Sequence, residues 1–263
     1  MTFSVTGKAA WAERTAGDVQ EVAQKDGSIV VVPVASIEQH GDHLPVGTDS
    51  LLVTAVTQSA TEDTDIPLLV TPTIWTGHSP HHRVFGGTIS LSAPDFLEHI
   101  STVAESAVTA GFDAVILVNG HGGNISLVGA ATGTVGPDHP EAQVLGVTYF
   151  QLATDQVMEL RDSEIGGMAH GGEFETSLML HLHPELVDVE ADEGTMMDEP
   201  YELGTKDLVK GGPLSLYRPF DEYSDTGAIG DTTLASAEKG EQLLGILGEA
   251  LADVFADIHE QNR

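Results

Sequence analysis

Three short stretches of this 263-residue chain concentrate side chains that bind cations and move protons: "SIEQHGDHLPVGTDS" (36–50), "VNGHGGN" (118–124) and "MAHGGEFETS" (168–177). In the first, Glu38 and His40 stand two apart, so on an extended backbone they project to the same side. Asp49 follows a turn containing Pro45 and Gly47, where a helix would begin. Taken singly, His40 and His43 have an ordinary reading as hydrogen-bonded structural histidines. His121 is flanked by Gly120, Gly122 and Gly123, which leave its imidazole unobstructed. The loop lacks the Lys and Ser/Thr of a P-loop and is too short for a dinucleotide fingerprint, so His121 reads as a metal ligand or a catalytic base. In the third stretch His170 and Glu173 are one helical turn apart and could face one centre, whereas Glu175 points elsewhere on an ideal helix.

Phe174, Leu178 and Leu182 give that third segment an apolar face, so the helix is buried. Two carboxylates entering a buried helix are costly unless paired or bound to metal. The chain contains no cysteine, so any metal must be held by His, Asp or Glu, which suits Zn, Mn, Fe, Co or Mg. Glu38, His40, Asp49, His121 and Glu173 are more ligands than one catalytic zinc needs. They suit two ions sharing Asp49. Water bridging such a pair ionises near neutrality, which leaves His170 to pass a proton to a leaving nitrogen.

These stretches must be positioned by alternating strands and helices. "SIVVVPVA", "PLLVTPTI", "FDAVILVN" and "EAQVLGVTYF" read as strands; "DSLLVTAVTQSA", "SAPDFLEHISTVAESAVTAG", "ISLVGAATGTV", "GEFETSLMLHLH" and "TLASAEKGEQLLGILGEALADVFADIHEQ" read as helices, with Ser92 as an N-cap. Strands without clean alternation, separated by helices, predict an α/β fold with a mostly parallel sheet covered on both faces. In such sheets ligands bind beyond the carboxyl ends of the strands, where the first two stretches fall. Residues 191–231 lack periodicity and are too long for a plain connection, so they are expected to form a lid or an oligomer contact. A single domain spanning 1–263 is expected.

With 41 acidic residues against 10 basic ones, the formal net charge is −31. That surface repels phosphate backbones and anionic membranes, so neither nucleic acid nor membrane is an expected partner. The acids are dispersed, with only a local thickening at "DVEADEGTMMDEPYE", as in proteins of salt-accumulating halophiles, where screening removes the self-repulsion. No apolar run approaches the roughly 20 residues needed to cross a bilayer. The first residues lack a secretory signal, so a cytoplasmic location is expected.

"PVASIEQHGDHLPVGTDS", "VNGHGGN", "MAHGGEFETSLML" and "GAIGDTTLASAEKGEQLL", with "FGGTISLS" between them, resemble the creatininase family of metal-dependent amidohydrolases. The resemblance runs from about Val31 to the C-terminal helix. It implies a three-layer α/β/α sandwich, commonly a homohexamer, with two divalent ions (Zn, Mn or Fe). By motif, Glu38, His40 and Asp49 match the first ligand set with Asp49 bridging, and His121 matches another ligand. His170 matches the family's catalytic histidine, and Glu175 the acid that steadies the site. Three features depart from creatininase itself. Gly123 stands where creatininase has a metal-binding Glu, for which Glu173 is the candidate replacement. The run "SEIGGMA" just before His170 holds no aromatic, the tryptophans being Trp11 and Trp75. His81 stands where relatives often carry Glu, and His78 and His82 are candidates either to line the pocket or for a structural role. The resemblance implies hydrolysis of a non-peptide C–N bond in a small, creatinine-like cyclic amide. The alternatives are deformylation of a ribosylaminopyrimidine phosphate on the route to riboflavin and F420, with Arg83 or Lys210 meeting the phosphate, trimming of a peptide in cofactor maturation, or a metal-binding scaffold without catalysis.

Overall fold

β-Branched and aliphatic runs build four strands, β1 (Ile29–Val34), β2 (Leu68–Val70), β3 (Ala114–Asn119) and β4 (Gln143–Thr148). In the computed structural model, which describes residues 2–188, 190–191, 194–196 and 201–263, they pair in parallel in the order β2-β1-β3-β4. β1 and β3 run in step from Ile29↔Ala114 to Val34↔Asn119. Their carboxyl ends therefore coincide, and the loops that follow them leave the sheet side by side.

Seven α-helices accompany the sheet: α1 (Ala16–Ala23), α2 (Thr48–Thr61), α3 (Ala93–Thr109), α4 (Ile125–Val135), α5 (Thr154–Leu160), α6 (Glu173–Leu182) and α7 (Ala237–Asn262), among the described residues. Successive strand residues point to opposite faces. Ile29, Val31, Ile116 and Val118 meet Leu52, Val56, Phe174, Leu178, Leu247 and Phe255 from α2, α6 and α7. Val30, Val32, Val115 and Leu117 meet Phe96, Ile100, Val128 and Ala131 from α3 and α4, with Val19 of α1 behind them. The result is the three-layer α/β/α arrangement expected. Burial of each such side chain contributes about 1.5–3 kcal/mol.

Several boundaries differ from the sequence expectation for physical reasons. β2 ends at Val70, because Pro72 has no N–H to give the ladder, although Ile74 rejoins β1 through its N–H to the Pro33 carbonyl at 2.9 Å. α1 was not anticipated, yet it opens on a capping box in which Thr15 and Asp18 exchange side-chain-to-backbone bonds. α5 was not anticipated either. α7 starts at Ala237, with the Ser236 hydroxyl accepting from the Lys239 N–H. Ser92 caps α3 as expected. Part of the acidic stretch 188–202 lies outside the described residues. Residues 201–231 contain no α-helix or named strand, only a 3₁₀ turn at Phe220–Glu222. No helix of the described residues is long and apolar enough to cross a membrane.

Candidate metal centre

Several segments converge above the carboxyl ends of β1 and β3. The segment Ser36–His40 leaves β1 directly, and Gly41 (φ +69°) turns it back. Asp49 lies in the first turn of α2. His121 follows β3 by two residues, held by Asn119, whose amide donates to the His121 carbonyl (2.8 Å) and accepts its N–H (3.1 Å). Asn124 ties the neighbouring loops together, donating to the Ala35 carbonyl (3.1 Å) and accepting from the His78 N–H (2.9 Å). His170 arrives on a short bridge to Ile229, and Glu175 from the first turn of α6.

Two triads that share Asp49 result, Glu38/Asp49/His121 and His40/Asp49/Glu175, beside a third group, Glu38/His40/His170, each with donor atoms within 4.8 Å of one another and all buried. Asp49 Oδ1 lies 3.1 Å from His40 Nε2, and its Oδ2 lies 3.1 Å from His121 Nδ1. His121 Nδ1 is also 3.1 Å from Glu38 Oε1, and Glu175 Oε1 is 3.7 Å from His40 Nε2. Glu38 is oriented from behind by Ser79, whose hydroxyl donates to Oε2 at 2.5 Å.

The chemistry of this donor set fits divalent cations. Three carboxylates and two imidazoles are buried in one cluster, an arrangement that is costly unless positive charge is present. Asp49 Oδ2 is buried, and its 3.1 Å approach to His121 Nδ1 falls outside hydrogen-bond geometry. Burial alone would lower the His121 pKa, but the Glu38 charge and contact with Asp49 raise it to about 10. His40 is likewise raised well above the ordinary range, against its burial, by Asp49 and Glu175. Burial would raise Asp49, yet the facing imidazoles hold it far below the carboxylate range. Protons thus gather on the nitrogens where a cation would compete for the same lone pairs.

The expected ligand Glu173 is not brought to this centre. Its carboxylate accepts from the Asp162 and Ser163 N–H groups, both at 2.9 Å, and pairs with the Lys239 ammonium. The reason is local: α6 begins at Glu173, and Gly171 (φ +65°) breaks the chain between it and His170. Helical spacing therefore does not apply between His170 and Glu173. Glu175, expected to point elsewhere and merely steady the site, faces inward instead, with its Oε2 accepting from the Gly171 N–H at 2.6 Å. His43 sits behind the site with Nε2 2.9 Å from the Gly171 carbonyl and 3.0 Å from Thr176 Oγ1.

His170 lies over the centre, its ring 4.1 Å from that of His40. Its Nε2–H donates to the Gln39 carbonyl at 2.6 Å, and its Nδ1 is 3.7 Å from Glu38 Oε1. Burial and the nearby His40 charge hold its pKa well below the usual histidine value. The centre forms the floor of a cavity of about 600 Å³ whose walls include His78, His81, His82 and residues of 205–229. Beside His170, where the run 163–169 has no aromatic, stands Phe220, whose ring lies 5.3 Å from His170, 4.2 Å from His82 and 4.8 Å from His81; Phe150, Tyr217 and Tyr223 also line the cavity. Neither Phe220 nor Ser79 carried a sequence signal. A Cβ at Gly123 would fall 2.5 Å from His121 Nε2 and 3.0 Å from His81, so this loop has no room for an acidic side chain there.

Comparison with known proteins gives the family. Residues 12–255 match the Creatininase family, described as creatinine amidohydrolase. The mycofactocin precursor peptide peptidase of Mycobacterium tuberculosis is 31% identical over 227 residues, 83% of this chain and 80% of its own. The 3-dehydro-scyllo-inosose hydrolase of Thermotoga maritima is 28% identical over 256 residues, 90% and 79% of the two chains. The creatinine amidohydrolase of Pseudomonas putida is 28% identical over 272 residues, 95% of each chain. A crystal structure of creatininase superposes with a TM-score of 0.79 at 26% identity, covering 96% of this chain and 98% of the other. A manganese form (25% identity, 95% and 98% covered) and a Zn–Zn form of a variant (25%, 96% and 98%) also superpose at 0.79. With a match that spans all but the ends of the chain, and with fold neighbours over nearly its whole length, the protein belongs to the creatininase family.

Proposed function

We propose that the chain is a metal-dependent amidohydrolase acting on a non-peptide C–N bond of a small cyclic amide, creatinine-like in its chemistry. Glu38, Asp49 and His121 would hold one divalent ion (Zn, Mn or Fe), and His40, Asp49 and Glu175 a second. The observation that carries this reading is Asp49, buried and shared by both triads. Bound divalent ions would supply Lewis acidity toward a carbonyl oxygen and lower the pKa of water. The chain's own contribution is positioning and proton transfer. His170 presents Nδ1 toward the centre while its other nitrogen is held by the Gln39 carbonyl, so it takes a proton from the attacking water and returns it to the leaving nitrogen. Phe220 and residues 205–229 act as the lid that excludes bulk water, and the working form is a cytoplasmic homohexamer.

A second reading rests on Arg218. Its guanidinium lies 5.4 Å over the Tyr223 ring, and it is the one Arg or Lys among the described residues lining the cavity. It favours a substrate with an anionic group, as in the deformylase alternative. Neither Arg83, which donates to the Ser90 carbonyl at 2.9 Å, nor Lys210 lines the cavity.

The test is turnover of creatinine, the formylaminopyrimidine ribonucleotide and short peptides by metal-loaded protein in high salt. We expect hydrolysis of a small amide, retention of two metals per chain in His170→Ala with activity lowered about 10²–10⁴-fold, and loss of both metals in Asp49→Ala. Metal binding without turnover of any amide would favour the scaffold. Metal loss in His170→Ala would make His170 a ligand.

A further inference from the structure

Gln39 lies between Glu38 and His40, is buried, and belongs to neither triad. Its side-chain amide has one orientation open to it. Oε1 accepts the Gly41 N–H at 2.8 Å, and Nε2 donates to the Gly227 carbonyl at 3.1 Å. The flipped amide would set donor against donor at Gly41 and acceptor against acceptor at Gly227. Gly227 adopts φ +95°, and any Cβ there would run into the Gln39 amide, so a glycine is needed for this approach.

The remaining amide N–H has His82 Nδ1 at 2.8 Å. A ring nitrogen facing a donor must accept, which places the His82 proton on Nε2. That nitrogen lies 3.2 Å from Glu38 Oε1, to which it donates. Meanwhile the main-chain carbonyl of Gln39 takes the Nε2–H of His170 at 2.6 Å. The 3.3 Å approach of the Gln39 amide nitrogen to His170 Nε2 joins two donors and is a packing contact. We infer that Gln39 is a positioning residue: its side chain fixes the His82 tautomer so that His82 holds Glu38, and its carbonyl fixes the His170 tautomer so that a bare Nδ1 faces the centre. With the opposite His82 tautomer, a nitrogen lone pair would face the Glu38 carboxylate, leaving Ser79 and the His121 contact to orient it.

The assignment is tested by long-range ¹H–¹⁵N correlation on zinc-loaded protein labelled at histidine, with His82 and His170 identified through signals lost on single substitution. In the unaltered chain both rings should carry the proton on Nε2. In Gln39→Glu the side chain has no hydrogen to give, so the His82 proton should move to Nδ1 while His170 keeps its tautomer. The kinetic arm rests on the hydrolase reading: Gln39→Glu should retain two metals and lose about tenfold or more in kcat, with KM changed less than about threefold. A His82 proton on Nδ1 in the unaltered chain overturns the inference, and that spectrum needs no variant to fold. An unchanged His82 tautomer, or an unchanged kcat, in Gln39→Glu does the same. Spectra as expected from a protein that turns over no amide would sink the hydrolase reading and leave the tautomer assignment standing.

Discussion

Glu173 and Glu175 sit two positions apart at the start of α6 and end in unrelated surroundings. Glu175 reaches the cation cluster; Glu173 anchors Lys239 and the backbone at Asp162 and Ser163. Their conservative replacements should therefore separate. Glu175→Gln should weaken metal binding about 10–100-fold with little change in unfolding midpoint, measured by competition with a chelator. Glu173→Gln should retain its metals and lose about 2 kcal/mol in denaturant unfolding, since the Lys239 ammonium keeps only the exposed Asp162 as a charged partner. The sequence made Glu38, His40, Asp49, His121 and His170 visible because glycine and proline mark their loops and their types suit cations. It could not distinguish Glu173 from Glu175, because that choice depends on where α6 begins. A turn with positive φ at Gly171 decides it, and spacing alone does not report such a turn.

At the scale of elements, α7 shows how one substitution changes sign along a helix. A Cβ at Gly240 would run into the Ser177 carbonyl oxygen of α6 and approach His181. At Gly245 nothing lies within 4 Å. Thermal unfolding should report Gly240→Ala as destabilising by about 1–3 kcal/mol and Gly245→Ala as stabilising by about 0.5–1 kcal/mol. β1 and β3 were legible because they are short, β-branched and flanked by turn residues. β2 and the segment 201–231 were less so. Pro72 breaks the first, and the second is held by side-chain and loop contacts, such as the Asp207–Arg161 pair at 2.6 Å, which leave no periodic trace. Phe220 was hidden in that aperiodic segment. An aromatic wall next to His170 can come from any part of the chain that folds over it.

For the whole molecule, the net charge of −31 is the dominant long-range force. The apolar layers on both sides of the sheet must hold against that self-repulsion, which weakens as salt shortens its range. Raising KCl from about 0.1 M to 2 M should lift the unfolding midpoint by on the order of 10 °C, followed by circular dichroism. A fall in midpoint over that range would mean that specific ion pairs outweigh the general repulsion. Composition made this property legible from the sequence, and it says nothing of which amide is cut.

The far end of α7 has a practical consequence. His259 Nδ1 lies 2.9 Å from the Gly27 carbonyl just before β1, and Asn262 donates at 3.0 Å to Gln143 at the start of β4. Arg263 thus emerges at the amino-terminal edge of the sheet, at the other end of the strands from the cation cluster. Protein immobilised on a solid support through that residue would turn its cavity toward the bulk liquid, and substrate flowing past would reach it without crossing the support.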